Sequence, residues 1–152
     1  MKVVLHTPSG DTGDISDWVA RFSEGWAAGS RCTDQLVNLL GPEVRLVAPG
    51  LRSTRGRVAA LSAFRKTFEV LPDLTAQVHR WSATGEALFL EMTFRATIGG
   101  RVLEWHSVDR VLFHDGVAVE RVAYFNPLKV RRAFLRSPAG WLQLLRRKLK
   151  GL

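Results

Sequence analysis

Residues 87–125 read ALFLEMTFRATIGGRVLEWHSVDRVLFHDGVAVERVAYF, and the reading of this stretch decides the fold. Apolar and polar side chains alternate along it with a period of two, and Gly99-Gly100 and His114-Asp115-Gly116 interrupt the alternation. That period marks strands with one buried face, and glycine pairs or Asp-Gly allow the positive φ that tight hairpins need. With Ala83-Thr84-Gly85 as a third turn signal upstream, four strands are predicted at about 74–82, 87–98, 101–113 and 117–125. They form an antiparallel meander, and Pro127 ends the last strand.

Ahead of the meander the period is helical. Ile15, Trp18, Val19, Phe22 and Trp26 recur at three- and four-residue spacing, which predicts a helix with one aromatic face, capped at Asp14 or Ser16 and stopped at Gly29. A shorter helix runs from Thr33-Asp34 through Leu40 and ends at Gly41-Pro42, and Glu43 to Ala48 reads as a strand. Gly56 opens a third helix, with Val58, Leu61, Phe64, Phe68 and Leu71 on one face and Pro72 as its stop. Helices first and strands later make an α+β layout, the helices packed on one face of a curved sheet.

The 152 residues, 46% of them hydrophobic, with five tryptophans and eight phenylalanines, suit one soluble domain with a sizeable core. No apolar run reaches the length of a membrane span, and Met1 to Gly13 lacks the pattern of a secretion signal, so the expected location is cytoplasmic. The single Cys32 offers neither an internal disulfide nor a zinc site, and His6, His79, His106 and His114 are scattered, so no metal is expected. The net charge of +8 would ordinarily suggest nucleic acid. Its distribution argues otherwise. Up to Asn126 there are 14 basic and 14 acidic residues, and the remaining 8 basic residues stand in an acid-free segment from Pro127 to Leu152.

The order helix, short helix, strand, helix, four-strand meander resembles the nuclear transport factor 2-like (cystatin-like) superfamily of ketosteroid isomerases, limonene epoxide hydrolases and SnoaL-like polyketide cyclases. The residues that carry the resemblance are Thr54-Arg55-Gly56-Arg57-Val58-Ala59-Ala60-Leu61 with Leu71-Pro72-Asp73-Leu74, then Phe94-Arg95-Ala96-Thr97, Val108-Asp109-Arg110 and Glu120-Arg121-Val122-Ala123-Tyr124-Phe125. It covers about Ser16 to Leu128, so a SnoaL-like domain is expected over 1–128 and a basic helical extension over 129–152. The resemblance implies a cone-shaped scaffold, a homodimer, no cofactor and a small apolar or aromatic, polyketide-like ligand between helices and sheet.

Alternation in the third meander strand sets Trp105, Ser107, Asp109, Val111 and Phe113 on one face, and His106, Val108, Arg110 and Leu112 on the other. The resemblance puts Asp109 on the pocket face as the acid/base residue of an isomerase, cyclase or hydrolase. The alternative is a structural Asp109 paired with Arg110, Arg121 or a backbone amide. Trp18, Phe22 and Trp26, with Trp105 and Phe125 opposite, either line a ligand cavity or pack a core. Glu91 sits in an apolar run, as a pocket residue or an edge-facing one. Arg121 shares alternation with Ala123 and Phe125 and would hold Glu91, Asp109 or an acidic substrate group, or form a salt bridge on the convex face.

Two departures narrow the chemistry. Where ketosteroid isomerases keep a base ahead of a proline and a tyrosine on the first helix, this chain has Ala48-Pro49 and Ala20-Arg21-Phe22. Where limonene epoxide hydrolases keep a last-strand acid, it has Ala123. A non-catalytic ligand-binding or interaction module is therefore the competing reading. After Arg136-Ser137-Pro138-Ala139-Gly140, a candidate linker, Trp141, Leu142, Leu144, Leu145 and Leu149 alternate with Arg146, Arg147, Lys148 and Lys150. That amphipathic basic helix suits an anionic membrane surface or an acidic partner, or packs on the body or a second subunit.

Overall fold

A computed structural model describes residues 12–149. Helix α1 (Thr12–Ala28) ends at Gly29, whose φ of 68° is the left-handed conformation that closes a helix without a Cβ clash. A Cβ at Gly29 would stand 2.6 Å from the Leu74 carbonyl oxygen, so the same glycine lets the meander begin against the helix end. A 3₁₀ turn over Gly29–Cys32 leads to α2 (Thr33–Asn38), β1 (Arg45–Val47), β2 (Thr54–Arg55) and α3 (Arg57–Val70). The meander follows as β3 (Thr75–Thr84), β4 (Ala87–Ile98), β5 (Arg101–His114) and β6 (Val117–Tyr124), and α4 (Pro127–Leu135) and α5 (Pro138–Leu149) complete the described chain.

The sheet has the order β2-β1-β6-β5-β4-β3. β3 to β6 pair antiparallel with their sequence neighbours. At Gly99-Gly100 and Asp115-Gly116 both residues have positive φ, the mirror-image turn whose twist matches that of the strands it joins. β1 adds to the other edge of β6 in parallel, Arg45 opposite Glu120 and Val47 opposite Val122. This one parallel pair departs from the antiparallel sheet expected. A three-residue strand carries no period of its own, and its direction follows from where α2 and α3 deliver the chain. Register shifts between Val78 and Arg80, and between Leu112 and Phe113, are bulges that bend the sheet.

The inner face of the sheet carries Leu88, Leu90, Met92, Phe94, Ala96 and Ile98 from β4 and Trp105, Ser107, Asp109, Val111 and Phe113 from β5, all buried. Phe22 and Trp26 of α1, Leu36 and Val37 of α2, and Ala60, Phe64 and Phe68 of α3 close the core over it. Local details differ from the expectations. α1 already begins at Thr12, so Asp14 and Ser16 lie inside it; α2 stops at Asn38, short of Leu40; and β1 is shorter than 43–48. Val58 is 85% exposed. The first turn of α3 is held instead by Arg57, whose guanidinium donates to the Leu40 carbonyl at 2.6 and 3.1 Å.

The C-terminal segment packs on this body. The Asn126 side chain caps α4 by accepting from the Leu128 N–H at 3.0 Å, so the anticipated boundary at 128/129 falls inside the first turn of a helix. The anticipated linker holds the break between α4 and α5 at Arg136-Ser137. None of the described helices is long and apolar enough to cross a membrane.

Asp73, between α3 and β3, ties that corner to the far end of β4. It accepts from the Thr97 hydroxyl at 2.6 Å and from the Thr97 N–H at 3.0 and 3.1 Å. The Thr97 hydroxyl is the main cause holding the Asp73 carboxyl below its ordinary 3.8; partial burial opposes it, and the Thr97 N–H and the Arg95 charge reinforce it. A depressed folded-state pKa contributes stability that is complete above the unfolded value of 3.8 and is lost as pH falls through the folded value. Asp73→Asn is therefore expected to lower Tm at neutral pH and to converge with wild type in acid, measured as melting curves over descending pH.

Candidate functional site

Strand alternation and register build a charged cluster inside the aromatic core. Val111 stands opposite Arg121 and Asp109 opposite Ala123, so Arg121 is the diagonal cross-strand neighbour of Asp109 on the inner face. A diagonal separation of about 7 Å between backbones is one a guanidinium stem spans. Arg121 Nε donates to Asp109 Oδ2 at 2.7 Å, and Nη2 donates to the same oxygen. Ser107, two residues back on β5, donates its hydroxyl to Asp109 Oδ1 at 2.7 Å. Both carboxylate oxygens are thus engaged, and Asp109 has no exposure at all.

Aromatic rings enclose the cation. The Arg121 Cζ lies 5.1 Å from the Trp26 ring centroid, 5.3 Å from Phe22 and 6.0 Å from Phe64. Rings at these distances attract a guanidinium through their negative faces, and more strongly once water is excluded. Around them Trp18 stacks on Phe22 at 4.7 Å, Trp26 meets Phe94 edge-on at 5.1 Å, and Phe94 stacks on Trp105 at 5.6 Å. The Trp18 indole N–H donates to the Leu39 carbonyl at 2.9 Å. The Trp26 indole N–H is buried without a partner. The arrangement is a buried ion pair in a ring-lined interior, where the low polarity of the surroundings strengthens the attraction between the two groups.

The residues singled out from sequence fall into two groups. Asp109, Arg121, Trp18, Phe22 and Trp105 are all buried on the inner face or against it, and Phe125 is half-buried at its rim, packed on the core. Glu91 is not brought to them. In β4 it falls between the buried Leu90 and Met92, which turns it to the outer face, where it pairs with Arg80 at 2.5 Å. Its placement in the pocket is therefore corrected, because the apolar run around it is an alternating strand and not a wholly buried one. Arg110 is likewise turned outward, held by Glu120, which also binds Arg45 at 3.0 Å. His106 is on that face too, its Nδ1 3.0 Å from the Thr93 hydroxyl, which His79 Nε2 approaches from the other side at 2.7 Å.

Sequence reasoning missed Ser107 and Phe64 as members of the cluster. Ser107 carried a usable signal, two residues from Asp109 on one strand face. Phe64 carried none beyond its apolar helix face, since which ring covers Arg121 depends on how α3 crosses the sheet. Among the described residues, no group of three or more His, Cys, Asp or Glu side chains is placed to hold a metal ion.

Comparison with known proteins gives a consistent result. The model of the SnoaL-like domain matches residues 19–121. No curated protein matches by sequence. Among solved structures, a protein assigned as a SnoaL-like polyketide cyclase from Jannaschia sp. CCS1 is similar with a TM-score of 0.75 and 19% identity, over 87% of this chain and 99% of that one. A nuclear transport factor 2-like protein of unknown function from Burkholderia pseudomallei gives 0.71 and 19%, over 80% and 97%. An epoxide hydrolase of the limonene type from M. tuberculosis gives 0.68 and 20%, over 90% and 98%. At such identities the likeness is one of fold, and the chemistry must be argued from the side chains present.

Removing one member of a buried ion pair strands the other, whereas replacing both with neutral groups does not. Arg121→Met is expected to cost about 3 to 5 kcal/mol of folding stability, and Asp109→Asn combined with Arg121→Met to recover most of that loss. Urea denaturation of the two variants and wild type measures both values.

Proposed function

The chain belongs to the SnoaL-like domain family, and on that footing we propose that it is a cytoplasmic protein binding a small apolar or aromatic, polyketide-like molecule against the inner face of its sheet. Asp109 is the proposed acid/base residue of an isomerase, cyclase or hydrolase reaction that needs no cofactor. The observation that carries this reading is the wholly buried Asp109 carboxylate, held by Arg121 and Ser107 within a wall of rings. In this reading Asp109 takes a proton from a bound carbon or oxygen acid. Arg121 then faces a neutral acid, and its charge is released to stabilise the negative oxygen that develops on the ligand. Trp18, Phe22, Trp105 and Phe125 supply apolar contact area, and the ring layer of Phe22, Trp26 and Phe64 over Arg121 is what an entering ligand has to part.

One observation favours a second reading. Both Asp109 oxygens are already satisfied inside the protein, as a structural pair requires. In that reading the chain is a non-catalytic ligand-binding or interaction module.

A thermal-shift screen with hydroxylated anthraquinones and aromatic ketones, followed by product analysis of each hit, separates the two. Under the catalytic reading, hits are converted by wild type, and Asp109→Asn/Arg121→Met lowers turnover at least about 100-fold. Hits that bind wild type and double variant equally and are never converted support the binding module.

We place the expected homodimer on the outer face of the sheet, where Phe89, Val108 and Tyr124 are 39%, 44% and 52% exposed and Val108 pairs directly with Tyr124. Light scattering is expected to give twice the chain mass for wild type and the single-chain mass for Val108→Glu. A single-chain mass for wild type overturns the dimer.

A further inference from the structure

α4 and α5 show two unlike faces. Inward, Phe134 and Gly140 are buried and Val130, Ala133 and Leu144 pack on the core. Gln143 pins α5 to the body: its amide N–H donates to the Val70 carbonyl at 3.2 Å, and its amide oxygen accepts from the Gly99 N–H at 2.8 Å. Gly140 packs α5 closely on α4, since a Cβ there would stand 2.2 Å from the Phe134 carbonyl oxygen. With Gly140, Gln143 and Leu144 committed to the body, helical geometry turns Trp141, Leu142 and Leu145 the other way.

These three are 54%, 56% and 49% exposed, and Leu135 and Leu128 of α4 are 50% and 53% exposed. Leu135, Trp141 and Leu142 also share one hollow with Arg136, Ser137 and Pro138. The Trp141 indole N–H donates to the Leu135 carbonyl at 3.1 Å, which fixes the ring beside the helix break. Core closure accounts for the inward face and leaves this outward one without a function.

The cations accompany the apolar residues. Among the described residues, Lys129, Arg131, Arg132, Arg136 and Arg146 are exposed and take part in no ion pair. The segment from Pro127 to Leu152 contains no acidic residue, although the preceding part of the chain is charge-balanced. A surface that combines exposed leucines and a tryptophan with unpaired arginines matches a layer that is anionic at the headgroups and apolar just beneath. A polyanion such as nucleic acid would use the charges and leave the leucines in water.

We infer that the outward face of α4 and α5 is an interfacial docking surface for an anionic lipid membrane, on which the chain lies without crossing it. Trp141, Leu142 and Leu145 enter the headgroup region, and Arg131, Arg132, Arg136 and Arg146 meet the lipid charges.

Flotation of the full chain with vesicles tests this. Wild type is expected to float with phosphatidylcholine vesicles holding about one-third phosphatidylglycerol, and to stay behind with phosphatidylcholine alone. Trp141→Ser/Leu145→Ser, two exposed positions, and Arg131→Glu/Arg136→Glu are each expected to weaken binding about tenfold or more, with melting temperatures close to wild type. About 0.5 M salt weakens the contact through screening. Absence of flotation with the anionic vesicles, or equal flotation of wild type and the Trp141/Leu145 variant, overturns the proposal. Retention on immobilised poly-glutamate or on duplex DNA without vesicle flotation also overturns it, in favour of an acidic partner.

Discussion

Two opposite charges held inside a hydrocarbon interior set the terms for the rest of this structure. Asp109 and Arg121 are tolerated there because each carboxylate oxygen has a donor and the guanidinium is ringed by aromatic faces. The pair also constrains the sheet. A slip of one residue between β5 and β6 would turn the side chains of one strand to the outer face, separating the carboxylate from its cation and burying one of them alone. Packing of Trp105, Val111 and Phe113 against the helices requires the same register, so the charged and apolar patterns specify one arrangement together.

The ring layer carries that constraint to the helices. Phe22 and Trp26 reach Arg121 from α1 and Phe64 reaches it from α3, so the two helices over the sheet are joined through one cation. Any ligand that engages Asp109 competes with contacts that also hold the helices in place. Under the proposed function, binding and helix packing are therefore coupled, and a stabilised ring layer trades against access to the carboxylate. Beside it the Trp26 indole N–H has no acceptor, a buried donor that native interiors seldom leave unmatched.

In α5 one short segment divides its residues between the protein interior and the surface. Gln143 bonds to the backbone of two different elements, and Trp141 and Leu142, its neighbours along the helix, face outward. Anchoring by hydrogen bonds and close glycine packing leaves the larger apolar side chains of α5 uncommitted to the core. That division turns an excess of charge, first visible as a net +8, into a directional feature of the surface.

Much of this was legible in the chain alone. Alternation over 74–125 determined four strands and their turns and set Asp109 on one strand face with Trp105, Ser107, Val111 and Phe113, because a period of two and positive-φ residues are local properties; the resemblance turned that face inward. The motifs around Gly56, Pro72 and Arg121 indicated the family by resemblance, and counting charges isolated the tail. What the sequence could not determine was partnership. Asp109 had three candidate partners and Arg121 had two carboxylates to choose from, and only the β5–β6 register put those two together while sending Glu91 to Arg80 on the other face. The parallel addition of β1, the ring of Phe64 over Arg121 and the docking of Gln143 also join residues far apart in the chain. Periodicity reports which way a side chain points within its own element; which side chain it meets is decided by how the elements pack.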